Sequence, residues 1–261
     1  MGQPAPFLAG NQLLIAATRL DESSPPPIAS SIDWSYVQQA AARQGVAPLL
    51  YRWLQRHPEC GADAALNDAL HDTYWRGHFR NRLLFDELQR IGHLAADRGI
   101  AIMPMKGGLL AREYYDTAAL RPLSDLDLLL HPKDIAAFGS LLHSQGYVET
   151  DQSPSYVDDE NLDLDSRDYC WFAPREGFDS FIEFRVAPLE LAVARLTDLD
   201  AAYTDALRQH ACEVWVRATP SDDGALLRQS AEDLLLHVAT HLAAKHLDFR
   251  LIWLHDLALM S

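Results

Sequence analysis

Cysteine is scarce in this sequence, and so is positive charge. Cys60, Cys170 and Cys212 are its three thiols; they are far apart, odd in number and lack the close spacing of a redox or zinc motif. A disulfide framework or a cysteine-built metal centre is therefore excluded as the organising principle. A reducing compartment, the cytoplasm, is the expected location. Lysine and arginine number 22 against 37 aspartates and glutamates, a formal charge of −15. A nucleic acid held by its phosphates needs clustered cations to replace counter-ions, so no nucleic-acid partner is expected, and the acceptor of any chemistry should be a small molecule or a peptide. No apolar run approaches the roughly 18 residues of a membrane span. The opening MGQPAPFLAGNQLLIAATRL has no basic segment and would make a poor secretory signal, and Pro6 stands where a myristoylation signal needs Ser or Thr. No membrane partner is expected. Apolar residues, in contrast, make up 48% of the 261, enough for a sizeable core in one large domain or in a core with helical additions.

The chain is organised around IAIMPMKGGLLAREYYDTAALRPLSDLDLLL, residues 100–130. Ile100 to Met105 is a short apolar run that suits a buried strand, and Lys106-Gly107-Gly108 ends it ahead of a helix over Leu109 to Tyr115. The two glycines can adopt positive φ and bring backbone N–H groups close to an anion at a helix start. Leu123 to Leu130 alternates as a strand does, so Asp125 and Asp127 project from one face and Leu126 and Leu128 from the other. Two neighbouring carboxylates repel unless a cation lies between them, and hard divalent ions such as Mg²⁺ prefer oxygen ligands. Taken alone, the Asp-x-Asp triplet has a second reading as the solvent face of an edge strand.

In order, Lys106, Gly107, Leu110, Tyr114, Arg121, Pro122, Asp125, Asp127 and Leu128 resemble the core of a poorly characterised bacterial family of nucleotidyltransferases in the DNA polymerase beta superfamily. That core reads Lys-Gly, a helix with aromatics, Arg-Pro and Asp-x-Asp-Leu-Leu. The likeness extends more weakly from about Asn81 to Asp256. It implies an α+β fold with a small mixed β-sheet flanked by N- and C-terminal helices, laid out as a helical region 1–98, a nucleotidyltransferase core 99–188 and a helical region 189–261. It also implies transfer of an NMP group from an NTP, with ATP the expected co-substrate, to a hydroxyl, with Mg²⁺ or Mn²⁺ as cofactor. In the superfamily a third carboxylate on a later strand completes the metal site, and Glu183, set among apolar residues in Phe181-Ile182-Glu183-Phe184-Arg185, is the candidate. Its rival role is an ion pair with Arg185.

Two metals about 3.5–4 Å apart, held by Asp125, Asp127 and Glu183, would activate the attacking oxygen and neutralise the leaving pyrophosphate. Gly107 and Gly108 would offer backbone donors to the β- and γ-phosphates, with Lys106 adding charge beside them. Arg121 either binds phosphate or braces the turn before the acidic strand. Two other functions use the same parts: phosphoryl transfer to a hydroxyl, and nucleotide binding without turnover. Members of the family tend to continue past the position where this sequence ends.

The flanks read as helices. Gln12 to Leu20 forms a short one, a proline-rich connector spans residues 21–31, and Asp33 or Ser31 caps a helix that breaks near Gly45 and resumes through Leu54. Ala64 to Arg98 is one long amphipathic helix or two abutting ones, closed by Gly99. On it Arg76, Arg80, Asn81 and Arg82 are either a solvated face or include a contact to the triphosphate. Ile135 to Gln145 is helical, Tyr147 to Glu149 is extended, and Tyr169 to Phe172 and Phe181 to Val186 are strands of the sheet. The acidic residues from Asp158 to Asp168 lack EF-hand spacing and read as solvated surface. Later come helices over Leu189 to Leu196 and Leu199 to His210, a strand or connector over Cys212 to Val216, and a long run from near Ser221. His237 and His241 lie one turn apart, with Asp233 a turn earlier; without a Glu after His237 they read as hydrogen-bonded packing residues rather than a zinc site.

Overall fold

The computed structural model describes residues 6–21, 32–150, 169–186, 201–222, 224–245 and 250–261. Most of the proline-rich connector, the acidic run 158–168 and the helix expected over 189–196 lie outside them. The chain forms two compact units, neither a single stretch: one drawn from residues 1–81, 111–122 and 248–261, the other from 82–110 and 123–247. A sheet with an apolar face must be covered, and late-sequence helices share the unit of the strands.

The first unit is helical. It contains α1 (Pro6–Thr18), α2 (Trp34–Arg43), α3 (Ala47–Arg56) and α9 (Leu251–Met260). Asp33 caps α2 by accepting the Tyr36 N–H at 3.0 Å, the expected N-cap bond. Between α2 and α3 the chain reverses at Gly45, whose φ is 71° and where an added Cβ would meet Ile252 at 2.9 Å. Both the backbone angle and the space there demand glycine. Trp53 on α3 is buried, so its aromatic ring packs.

One uninterrupted helix, α4 (Ala64–Ala96), runs 33 residues and contributes to both units. Its buried residues Leu66, Leu70, Leu84, Leu88 and Ile91 recur at helical spacing. Gly99 closes it at φ 69°, with Gly99 N–H donating to the Ala96 carbonyl and Ile100 N–H to that of Ala95.

The second unit carries the expected small mixed sheet of an α+β fold. Its order is β1 (Ile102–Pro104), β2 (Leu126–Leu130), β5 (Phe178–Arg185), β4 (Tyr169–Arg175), β3 (Val148–Glu149). β2 and β5 run parallel and the other neighbours antiparallel. Met103, Met105 and Leu129 pack on Val214 of α7 (Ala201–Arg217), while Phe138 of α6 (Ile135–Ser144) meets Phe184 edge to face at 5.3 Å.

Two local expectations fail. Cys212 to Val216 continues α7, since Val214 is buried on one side while Glu213 accepts Gln209 and Arg217 one turn away on the other. The run from Ser221 is not helical at first. Thr219–Pro220 (β6) and Leu227–Arg228 (β7) form a hairpin around Gly224, at φ 71°, and the next helix, α8 (Ala231–Lys245), starts only at Ala231, where Ser230 Oγ accepts the Asp233 N–H. Among the described residues no helix is long and apolar enough to cross a membrane.

An ion cluster ties α4 to the sheet within this unit. Glu87, 6% exposed, accepts Arg90 Nε at 2.8 Å, Arg175 Nε at 3.0 Å and the Tyr147 hydroxyl at 2.6 Å. Burial alone would raise its carboxyl, but these donors outweigh it and hold it at about 2. A depressed carboxylate stabilises the fold above its unfolded value of 4.5 and loses that contribution as pH falls towards 2, a span worth about 3 kcal/mol. Urea midpoints measured from pH 6 to pH 2 should therefore fall steeply below pH 4.5, and Glu87→Gln should flatten that limb while lowering stability at pH 6. An unchanged slope in the variant would remove Glu87 from the acid response.

Candidate active site

Asp127 and Glu183 are placed by strand register. The parallel pairing of β2 with β5 sets Asp127 opposite Glu183, and Leu126 and Leu128, pointing the other way, are buried. Asp125 sits in the bend just before β2 rather than inside a strand, yet carboxylate oxygens of Asp125, Asp127 and Glu183 all lie within 4.8 Å of one another. Among the described residues this is the group of acidic or imidazole side chains able to hold a metal ion. Its donors are all carboxylate oxygens, the set that hard ions such as Mg²⁺ and Mn²⁺ prefer over Zn²⁺, so the residues present fit the implied cofactor.

Two cations stand against the triad. Lys106 Nζ donates to Asp127 Oδ1 at 2.8 Å and lies 3.8 Å from Glu183 Oε1, and Arg185 Nη2 donates to the same Glu183 oxygen at 2.9 Å. Glu183 therefore fulfils both roles that the sequence set in opposition: it converges on the aspartates and it pairs with Arg185. A single carboxylate has enough lone pairs for both. Asp125 differs. It accepts Ser124 Oγ at 2.8 Å, and among the described residues no cation pairs with it. Burial, with Asp127 and Glu183 nearby, pushes its carboxyl up to about 6. Burial works the same way on Asp127, but the Lys106 ammonium prevails and its carboxyl is held down.

The glycine turn has a different geometry from the one expected. Neither Gly107 nor Gly108 has positive φ; both are buried in the first turn of α5 (Lys106–Glu113), and the left-handed residue is Lys106 at φ 47°. The cause is local. Met105 N–H still bonds to the Asp127 carbonyl at 2.9 Å, so the chain has a single residue in which to turn from sheet to helix. At Gly108 an added Cβ would meet nothing within 4 Å, so open space adjoins that backbone.

Arg121 belongs to the first unit, where its Nε lies 3.0 Å from both oxygens of Asp256 and its Nη2 2.9 Å from one of them. Asn81, also there, is fully buried and donates to the carbonyls of Ala118 and Arg121 at 2.7 and 2.8 Å, so it fastens the turn before the acidic strand. Arg76 pairs with Asp72 on its own helix.

On α8 (Ala231–Lys245), His237 departs from the hydrogen-bonded packing expected. His237 is 0% exposed, and neither ring nitrogen has a hydrogen-bond partner among the described residues. Burial, reinforced by Lys106 and Arg185, keeps it neutral, and Asp127 also bears on it. Asp233 is occupied by Arg217 and Ser230 instead. The sequence signal for His237 was its place among apolar residues; nothing in the spacing showed that it shares a unit with Lys106 and Asp127.

A cavity of about 180 Å³ lies wholly in the first unit, lined by Arg52, Arg56, Trp53, Tyr115 and His255 among others, none of them in the triad. No curated protein matches the sequence. The model of a family described as an uncharacterised nucleotidyltransferase matches residues 30–261, which takes in the acidic triad, Lys106 and both glycines, and the chain belongs to that family.

Proposed function

We propose that the protein transfers an NMP group from a nucleoside triphosphate, ATP in the first instance, to a hydroxyl of a small molecule or peptide. The convergence of Asp125, Asp127 and Glu183 within 4.8 Å carries this reading. Mg²⁺ or Mn²⁺ held by these carboxylates would supply charge neutralisation at the phosphates and lower the barrier to attack by the acceptor oxygen. The acceptor oxygen forms a bond to the α-phosphorus, the bond from that phosphorus to the β-phosphate bridging oxygen breaks, pyrophosphate leaves, and the hydroxyl proton passes to a triad carboxylate.

The chain's own groups divide the work. Gly107 and Gly108 present backbone N–H groups at the start of α5, where the helix dipole favours the β- and γ-phosphates. Arg185 fixes the Glu183 carboxylate. Arg121 pairs with Asp256, which supports the bracing role for it. A formal charge of −15 supports a small or peptide acceptor over a nucleic acid.

The test is label transfer. With α-³²P-labelled ATP, Mn²⁺ and a fraction of small metabolites and peptides, label should move into an acceptor, and γ-³²P label should appear in pyrophosphate alone. Transfer of the γ label to the acceptor would replace nucleotidyl by phosphoryl transfer. Triad-dependent nucleotide binding with no transfer of either label would leave a regulator that does not turn over.

A further inference from the structure

Lys106 is a poor fit to the role of a simple phosphate-binding lysine. It is 9% exposed, has the positive φ among the described non-glycine residues, and its ammonium is committed to Asp127 and, at 3.8 Å, to Glu183. A left-handed backbone costs an L-residue roughly 1 kcal/mol, and it persists only where surrounding bonds over-determine it. Here the bond from Met105 N–H to the Asp127 carbonyl on one side and α5 on the other supply that constraint. The Cα is pinned, while the four-carbon stem has rotatable bonds of its own, so the ammonium can change partners by side-chain rotation without movement of the backbone. Arg185 is different in chemistry, since its planar, rigid guanidinium is less suited than a single ammonium to exchange its pair with Glu183 for another.

We propose that Lys106 is a positioning residue that couples metal to nucleotide: it is the counter-ion of Asp127 and Glu183 in the metal-free protein and passes from carboxylate to phosphate when a metal–nucleotide complex arrives. This rests on the transferase reading. A divalent ion on Asp127 competes for the Oδ1 atom that Lys106 holds, and two cations on one carboxylate repel. The ammonium then loses its partner in a place with little water, where an unpaired charge is strongly disfavoured. The anion that resolves this is the triphosphate arriving with the metal. Metal alone therefore binds against the lysine, whereas nucleotide binds with its help, and linkage requires each ligand to favour the other.

The experiment uses Lys106→Met and, to guard against loss of fold, Lys106→Gln, with folding checked by circular dichroism. Mn²⁺ alone is titrated by the electron-spin resonance of the free ion, and a fluorescent methylanthraniloyl-ATP is titrated at saturating Mn²⁺. The expected result is opposed signs: Mn²⁺ affinity rises about tenfold or more in both variants, and nucleotide affinity falls by a similar factor. A lysine that only braces the fold would weaken both ligands or neither, and either outcome overturns the coupling. If the wild type binds neither Mn²⁺ nor the nucleotide, the transferase reading falls as well. If it binds both and the signs are not opposed, only the coupling falls.

Discussion

Replacing Asp125 and Asp127 together by asparagine will lower label transfer by at least about 10³-fold, which is about 4 kcal/mol of transition-state stabilisation. It will also erase the rise in melting temperature that Mn²⁺ and nucleotide confer on the wild type. The reason is that each change removes a formal charge from a site whose remaining carboxylate, Glu183, is shared with Arg185 and Lys106. A ligand that binds only the native state stabilises it by RT ln(1 + [L]/Kd), so loss of the site removes the shift at any ligand concentration used. The single change Asp125→Asn has a second, separate signature. The Asp125 carboxyl is raised to about 6 by burial and by Asp127; a raised carboxyl favours the fold below the unfolded value near 3.8 and loses that contribution as pH climbs through 6. Metal-free Asp125→Asn should thus be more stable than wild type at pH 8 and equal to it near pH 4. A double variant that keeps its metal-dependent stabilisation would show that the site lies elsewhere.

The largest loss of stability is expected at Asp256→Ala, far along the sequence from the acidic motif. Asp256 is 1% exposed and accepts the Tyr115 hydroxyl at 2.6 Å and Arg121 through Nε and Nη2. Removing Asp256 takes from Arg121 the carboxylate it holds through Nε and Nη2, and breaking a buried pair of this kind costs about 3–5 kcal/mol. A buried tyrosine hydroxyl would also be left without its acceptor. Asp256→Asn retains an acceptor and should lose less. Equilibrium urea unfolding monitored by tryptophan fluorescence measures both, and a loss below about 1 kcal/mol for the alanine variant would mean that Arg121 finds another partner.

The acidic motif was legible because its signal is local. A period of two sets Asp127 on the face opposite Leu126 and Leu128, and the register that sets Glu183 beside Asp127 follows from two short apolar strands, whereas Asp125 joins them from the bend before β2. Lys106 was legible as a residue but not as a geometry, since its left-handed backbone comes from a bond between Met105 and Asp127 that no spacing reveals. For the same reason the glycines were credited with a conformation they do not adopt. Asn81 read as a polar helix position; its burial depends on the carbonyls of Ala118 and Arg121 being folded back over it. Cys212 to Val216 read as a strand or connector; packing of Val214 holds it in α7 against the β propensity of its valines. The division into units was beyond reach of the sequence, because it follows long-range contacts that interleave segments.

The parallel pairing of β2 with β5 has a kinetic meaning. Residues 127 and 183 are brought together across a long intervening chain that includes α6, β3 and β4, so their contact is among the non-local ones of the second unit. Closing such a loop sets entropy against the pair before any strand contact compensates for it, whereas α6 and the β4–β5 hairpin form from near neighbours. The three carboxylates therefore depend on a non-local pairing, and a chain in which β2 and β5 are unpaired has no competent metal site to fill.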